Sequence, residues 1–327
     1  PIFRSRRDWA VPRRTNSGGG GMTRMVQAYR EIFFTARDGI RLYGRHYPAA
    51  FVDGVERRPV LCLAGLTRNG RDFNVIAEAL AQHPATPRDV YTLDYRGRGL
   101  SENDSDWHNY TVPNEAADVL DFMTVTGIGG ASIIGTSRGG LIAMVLGALQ
   151  PRAVGPVVLN DIGPVIEQKG LGRISAYVGR IPLPSSWKDA GALVHDMGRR
   201  AFPNVTAEEC VEIAKQWFNE HKGRPAPGYD PALSNALSVL DGPIPALWPQ
   251  FETLKRVPVL VLRGENSDIL SAETVEEMRR RHRALSSFVV KAQGHAPLLR
   301  DAETVDVVAQ FLAANEAAEW QPRLAYG

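Results

Sequence analysis

The chain has 327 residues, of which 44% are hydrophobic, 23% charged and 8% aromatic, and its net charge is +2. This composition is typical of globular proteins and excludes the disordered, collagen-like and coiled-coil classes. Residues 1–21 hold five arginines against one aspartate, so the remainder is slightly acidic and gives no electrostatic reason to expect nucleic-acid binding.

The two ends of the chain differ in pattern from its body. We predict that residues 1–21, which finish in four glycines, form a flexible basic tail, that translation starts at Met22, and that residues 319–327 form a C-terminal tail. Cys62 and Cys210 lie in apolar and helical patterns, which favours a reducing cytoplasm over a disulfide framework. No apolar run reaches the roughly 18 residues of a membrane helix, so we expect no membrane partner.

Short apolar runs alternate with helical patterns along most of the chain. Two runs flank the hairpin signal Asp38-Gly39, and six β-branched runs follow. The predicted strands are Glu31–Thr35, Ile40–Tyr47, Val60–Ala64, Val90–Asp94, Ser132–Gly135, Val157–Asn160, Val259–Arg263 and Phe288–Lys291. Helical spacing appears at Phe73–Leu80, Leu141–Leu149 and Val305–Leu312. The alternation predicts an α/β fold with a mostly parallel twisted sheet, an antiparallel start and helices on both faces.

One region interrupts this alternation. Between Val165 and Gln250 the pattern consists of helical pieces cut by prolines, and it is rich in large apolar side chains. We therefore predict a helical cap insertion over residues 165–250, on a core formed by residues 22–164 and 251–318. Most of the aromatic side chains in this region are expected to pack the insertion onto that core.

The motif Gly135-Thr136-Ser137-Arg138-Gly139 joins a predicted strand to a buried helix. In that context Gly-x-Ser-x-Gly indicates a nucleophile elbow, a sharp turn that raises the serine oxygen above the sheet. The flanking residues must be small, because larger side chains would strike the neighbouring strand and helix. Ser137 is therefore the candidate nucleophile.

A serine hydroxyl needs an adjacent base, and the base needs an orienting carboxylate. His295 follows the last predicted strand, in the loop Gly294-His295-Ala296-Pro297, and is the candidate base. Asp268 follows the preceding strand and is the preferred acid on loop position. Asp161, at the end of the Val157–Asn160 strand, is its rival, with an alternative role in anchoring the insertion.

A tetrahedral intermediate needs two N–H donors. One comes from the residue after the nucleophile, and the other from the loop that follows the Val60–Ala64 strand. We assign the oxyanion hole to the backbone N–H groups of Leu66 and Arg138.

These motifs resemble the α/β-hydrolase superfamily, in particular its lid-bearing serine esterases and lactonases. The resemblance rests on Ala64-Gly65-Leu66, Asp94–Ser101, Gly135–Gly140, Gly264–Asp268 and Gly294-His295. It implies a Ser-His-Asp hydrolase with a helical cap, and it implies that the Asp94–Ser101 segment holds a tight loop with structural arginines.

The chain departs from the family pattern at two positions. Ala64 stands where members usually have a loop-orienting histidine, and Arg138 stands where methionine or glutamine is common. For Arg138 we expect an ion pair with a nearby carboxylate such as Asp161.

The expected activity is hydrolysis of a small or medium ester or lactone with an apolar part, through an acyl-enzyme on Ser137. The alternatives on the same triad are a C–C bond hydrolase, a perhydrolase and an acyltransferase. Another alternative is a slow-turnover ligand-binding or sensor protein. The sequence has no metal-binding or nucleotide-binding motif, and no cofactor is expected.

Overall fold

The computed structural model describes residues 28–51, 54–238 and 245–316. The predictions for residues 1–21, Met22 and residues 319–327 lie outside these ranges. The strands are β1 Arg30–Thr35, β2 Arg41–Tyr47, β3 Val60–Leu63, β4 Val90–Asp94, β5 Ala131–Thr136, β6 Val154–Asn160, β7 Asn219–His221, β8 Arg224–Ala226, β9 Val259–Gly264 and β10 Leu285–Val290. The helices are α1 Asn74–Ala81, α2 Val112–Thr126, α3 Arg138–Leu149, α4 Gln168–Tyr177, α5 Trp187–Gly198, α6 Ala207–Trp217, α7 Leu233–Ser238, α8 Trp248–Glu252, α9 Ala272–Arg281 and α10 Ala302–Ala314.

Eight strands form one sheet in the order β1-β2-β4-β3-β5-β6-β9-β10. β1 and β2 pair as an antiparallel hairpin, β2 pairs antiparallel with β4, and the remaining neighbours are parallel. The predicted antiparallel start and mostly parallel sheet are confirmed. The central strands β3 and β6 are buried along their whole length, as strands covered on both faces should be.

Helices cover both faces of the sheet, as the sequence predicts. Side chains of α2, α3 and α9 pack against one face, and side chains of α1 and α10 pack against the other. The predicted burial of the Leu141–Leu149 helix is confirmed, because most of α3 is inaccessible to solvent. The carboxyl ends of the parallel strands meet at one edge of the sheet, where open α/β sheets place their sites.

The segment between β6 and β9 carries five helices and one small hairpin among its described residues. Strands β7 and β8 have three residues each; β7 is mostly exposed, whereas Pro225 of β8 is buried. The sequence pattern did not predict this hairpin. Helices α5 and α6 bury a small apolar cluster of their own around Val194 and Ile213. The division into a core of residues 22–164 and 251–318 and a cap segment of residues 165–250 remains our proposal.

The two cysteines are buried and free. Across the described ranges, no helix has the length and apolar character needed to cross a membrane.

Candidate active site

The turn between β5 and α3 has the geometry of a nucleophile elbow. The backbone of Ser137 has φ 51° and ψ −113°, a conformation that residues other than glycine rarely adopt, and the helix begins at Arg138. A Cβ added to Gly139 would lie 2.0 Å from the Leu63 carbonyl oxygen, and one on Gly135 would lie 2.6 Å from the Gly140 nitrogen. The expectation that only small residues fit at the two glycine positions of the motif is therefore confirmed.

The loop after β10 brings His295 onto the elbow. Its Nε2 lies 2.9 Å from Ser137 Oγ, and its side chain is 8% exposed. The Asn160 amide ties the His295 loop to the end of β5, because it donates to Thr136 Oγ1 and to the Pro297 carbonyl, each at 3.0 Å. The predicted approach of the base to the nucleophile is thus present in the structure.

The acid beside this histidine is Asp161. Its Oδ2 lies 2.9 Å from His295 Nδ1, and the carboxylate is fully buried. The same carboxylate accepts hydrogen bonds from the Gly264 N–H at 2.8 Å and from the Ser267 hydroxyl at 2.6 Å. Three donors therefore hold Asp161 in a single orientation.

Asp268, which the sequence ranking preferred, makes no hydrogen bond to His295 among the described residues. Its two oxygens accept from Arg173 of α4, at 2.7 and 2.8 Å. The order of preference between the two aspartates is therefore wrong. β6 lies between β5 and β9, so the first residue beyond β6 is closer to the elbow, while Asp268 is drawn outward to the cap segment.

The Arg173–Asp268 pair joins the cap segment to the core loop after β9. The Arg173 guanidinium lowers the pKa of Asp268 below its ordinary value of 3.8. Gly170 packs directly on this loop, since a Cβ there would lie 2.3 Å from the Asp268 carbonyl oxygen. The ion pair and this contact together hold α4 against the core.

Replacing Asp268 by asparagine should lower Tm at pH 7 by about 1–3 °C, because a partly exposed ion pair contributes at most about 1 kcal/mol. A carboxyl whose folded pKa is depressed stabilises the protein above its unfolded pKa and loses that effect as the pH falls through the folded pKa. The Tm difference from the wild type should therefore shrink below about pH 3.8. Thermal melts from pH 7 to pH 3 measure it, with the exposed Asp196→Asn as the control. A pH-independent difference would contradict the prediction.

The two predicted oxyanion donors lie on segments next to the nucleophile. Arg138 is the first residue of α3, so its N–H has no intrahelical acceptor. The Gly65 carbonyl accepts from the Arg68 N–H at 3.1 Å. Because the carbonyl and N–H of a trans peptide point in opposite directions, the Leu66 N–H faces away from that contact. A Cβ on Gly65 would lie 3.9 Å from the Ser137 Cβ, which places this loop beside the serine.

Other contacts hold the loop where the family histidine is replaced by Ala64. The Tyr95 hydroxyl donates to the Ala64 carbonyl at 3.2 Å, and Arg98 Nε donates to the Leu66 carbonyl at 2.8 Å. The Asp94–Ser101 segment is a tight loop, as the resemblance implies, because Asp94 accepts from the N–H groups of Gly70 and Leu100 at 2.7 and 2.9 Å.

Arg138 forms the ion pair that the sequence predicts, but with a different partner. Its Nε lies 2.6 Å from Glu115 Oε2, not against Asp161. Glu115 lies on α2 and was missed, although the pattern held a signal for it. Thr111 caps this helix, and Glu115 shares the apolar face that carries Val119 and Phe122.

A cavity of about 390 Å³ opens above the nucleophile, within the range for small-molecule sites. Ser137 and His295 line it, and most of its wall is apolar. Apolar side chains of the cap segment that line it include Ile174, Tyr177, Val194, Phe202 and Trp217. Within residues 28–51, 54–238 and 245–316, no cluster of His, Cys, Asp or Glu side chains could hold a metal ion.

The fold and this arrangement define a class of protein. The model of the α/β hydrolase family matches residues 60–307, and the chain belongs to that family. Six of the eight strands of the sheet, the elbow and the histidine after the last strand lie within the matched range, and β1 and β2 precede it.

Named relatives extend the comparison. A 3-hydroxybutyrate-oligomer hydrolase from Cupriavidus necator is 34% identical over 276 residues, which cover 79% of this chain and 89% of that protein. A 2-(acetamidomethylene)succinate hydrolase from Mesorhizobium japonicum is 26% identical over 238 residues, covering 72% and 81%. The crystal structure of an α/β hydrolase from Novosphingobium aromaticivorans superposes with a TM-score of 0.80 at 34% identity, covering 88% and 98%. The family and these relatives identify the chain as a hydrolase with a small-molecule substrate.

Proposed function

We propose that the protein hydrolyses carboxylic esters through an acyl-enzyme on Ser137, with His295 as the base and Asp161 as the acid. The observation that carries the proposal is the continuous relay from Ser137 Oγ to His295 Nε2 and from His295 Nδ1 to Asp161, each step 2.9 Å long. A relay of this geometry activates a serine hydroxyl, which is otherwise a weak nucleophile.

The proposed reaction has two halves. As Ser137 Oγ attacks the ester carbonyl carbon, its proton passes to His295 Nε2, and Asp161 stabilises the resulting imidazolium. The N–H groups of Leu66 and Arg138 bind the oxyanion, and His295 then protonates the departing alcohol. Water attacks the acyl-enzyme in the second half and loses its proton to His295. The bond between the acyl carbon and Ser137 Oγ then breaks, His295 returns the proton to Ser137 Oγ, and the acid product leaves.

The substrate that we favour is a short linear ester of a hydroxyalkanoic acid. This inference is supported by the activity in the name of the Cupriavidus relative, which covers most of both chains. The size and largely apolar wall of the cavity suit a chain of a few small acyl units.

Two measurements test the proposal. A fluorophosphonate probe should label one serine per chain, and peptide mapping should find it on Ser137. Steady-state kinetics should then compare 3-hydroxybutyrate dimer and trimer with p-nitrophenyl esters of increasing acyl length. We expect the oligomers to show the highest kcat/KM.

The outcomes separate the alternatives. Labelling without turnover of any ester or oligomer would favour a slow ligand-binding protein. Turnover of simple esters but not of the oligomers would keep the ester hydrolase and refute the preferred substrate. Absence of labelling in folded protein would contradict the proposed nucleophile.

A further inference from the structure

A buried carboxylate on α2 connects the two predicted oxyanion donors. Glu115 is fully inaccessible to solvent. Its Oε1 lies 2.8 Å from Arg98 Nη2, and its Oε2 lies 2.6 Å from Arg138 Nε. Arg138 Nη2 also donates to the Tyr110 carbonyl at 2.9 Å, which fixes the plane of its guanidinium.

Each of the two arginines is connected to one predicted oxyanion donor. Arg138 carries the first donor on its own backbone nitrogen, at the start of α3. Arg98 reaches the second, because its Nε donates to the Leu66 carbonyl at 2.8 Å. The Arg68 N–H holds the Gly65 carbonyl, which belongs to the same peptide as the Leu66 N–H, and Arg98 holds the peptide that follows it.

The electrostatics make this arrangement rigid. Burial alone would raise the pKa of Glu115, but the guanidinium groups of Arg138 and Arg98 outweigh it and hold the pKa below its usual value. Arg98 is itself fully buried and lies against the rings of Tyr95 and Tyr110. A buried charge that loses its partner is strongly unfavourable, so the three side chains have little freedom to separate.

We propose that Glu115 is a positioning residue of the oxyanion hole, because it holds the two arginines that fix the N–H groups of Leu66 and Arg138. The inference rests on the proposed function and assigns a role that the loop-orienting histidine of the family usually fills. Donors that are fixed in advance need no reorganisation when charge develops on the substrate oxygen.

The same helix provides a matched control. Asp118 lies one turn further along α2 and is also buried, and it accepts from Arg96 Nε and Nη2 at 2.8 and 2.6 Å. Arg96 makes no hydrogen bond to Leu66 or to the Arg138 backbone in the part of the chain that the structure describes. The two acids therefore differ in what their arginines hold, while their helix and burial are alike. Glu115 pairs with two arginines, and Asp118 pairs with one arginine that also binds Asp38 and Asp104.

The experiment compares Glu115→Gln with Asp118→Asn. Glutamine is uncharged, and its amide nitrogen replaces one of the two carboxylate oxygens that face the arginines, so the donors should lose their alignment. We expect kcat to fall by about 10–100-fold with KM within about 3-fold, since a small misplacement of catalytic groups costs about that much. Affinity for a trifluoromethyl ketone analogue of the substrate should fall in parallel. Asp118→Asn should lose comparable Tm but keep kcat within about 3-fold of wild type.

The result that overturns the proposal is an equal effect of the two substitutions on kcat and on analogue binding. If Glu115→Gln does not fold, Arg138→Gln decides, because this side chain is 13% exposed and its backbone donor is retained. A fall in kcat of about 10-fold supports the proposal, and unchanged kcat refutes it. Wild-type protein that neither labels nor hydrolyses esters would instead refute the proposed function, and this inference with it.

Discussion

Replacing Ser137 by alanine is expected to lower kcat for ester hydrolysis by about 10⁶-fold, and His295→Ala by a similar factor. The reason is that the two side chains act as one unit. Without the imidazole 2.9 Å away, the hydroxyl stays protonated, and without the hydroxyl the imidazole has nothing to activate. Steady-state kinetics of both variants with the preferred ester measure the effect.

The double variant gives the sharper measurement. Because the residues act as a unit, Ser137→Ala with His295→Ala should be no slower than either single variant. His108→Ala is the control, since His108 is 67% exposed and pairs with Asp106 on the surface, and it should keep wild-type kcat. Multiplicative effects in the double variant would contradict a shared proton-transfer step.

Most of the sheet could be predicted because a continuous β-branched run satisfies both faces of a covered strand. The errors fall where polar residues or proline interrupt the run. β10 begins at Leu285, although Ser286 and Ser287 break the apolar pattern, because their backbone pairs with Leu260 and Val261 of β9. Backbone pairing is indifferent to side-chain polarity, and a pattern read from side chains misses it.

The start of β6 was missed for a related reason. β6 begins at Val154, although Pro156 reads as a strand breaker. The register between β5 and β6 shifts between Ala131 and Ile133, so β6 holds an extra residue where the proline has no N–H to donate. A bulge accommodates the proline inside a central strand, and the side-chain pattern alone gives no sign of it.

The candidate site divides in the same way between local and long-range information. Ser137 and His295 could be placed from the sequence, because a strand-to-helix turn and a loop after the last strand are local features. The choice between Asp161 and Asp268 depends on the strand order and on the ion pair that Asp268 forms with Arg173 of the cap segment. Both are long-range facts, so loop position alone favoured the wrong aspartate.

Glu115 illustrates the other limit. A glutamate on a helix is ordinarily read as a solvated surface residue, since an unpaired buried carboxylate is costly. Its burial here depends on two arginines that are distant in sequence. Finding it requires both the helical periodicity of α2 and the knowledge that Arg98 and Arg138 converge on it.

Replacing Asp161 by asparagine is expected to lower kcat by about 10⁴-fold, whereas Asp268→Asn should remain within about 10-fold of wild type. The asparagine amide can donate to His295 Nδ1 and so favours the tautomer that carries its proton on Nε2. That tautomer cannot accept the proton of Ser137, and no carboxylate remains to stabilise the imidazolium. Kinetics across pH 6–9 measure both variants.

The control for the Asp161 substitution is Ser267→Ala. It removes the 2.6 Å hydrogen bond to Asp161 but leaves the carboxylate and its contacts with the Gly264 N–H and His295 in place. We expect a loss of less than about 10-fold, because the charge and one orienting donor remain. A large loss in Asp268→Asn with Asp161→Asn near wild type would return the role of the acid to the loop after β9. The Arg173–Asp268 pair would then have to open before His295 could engage Asp268.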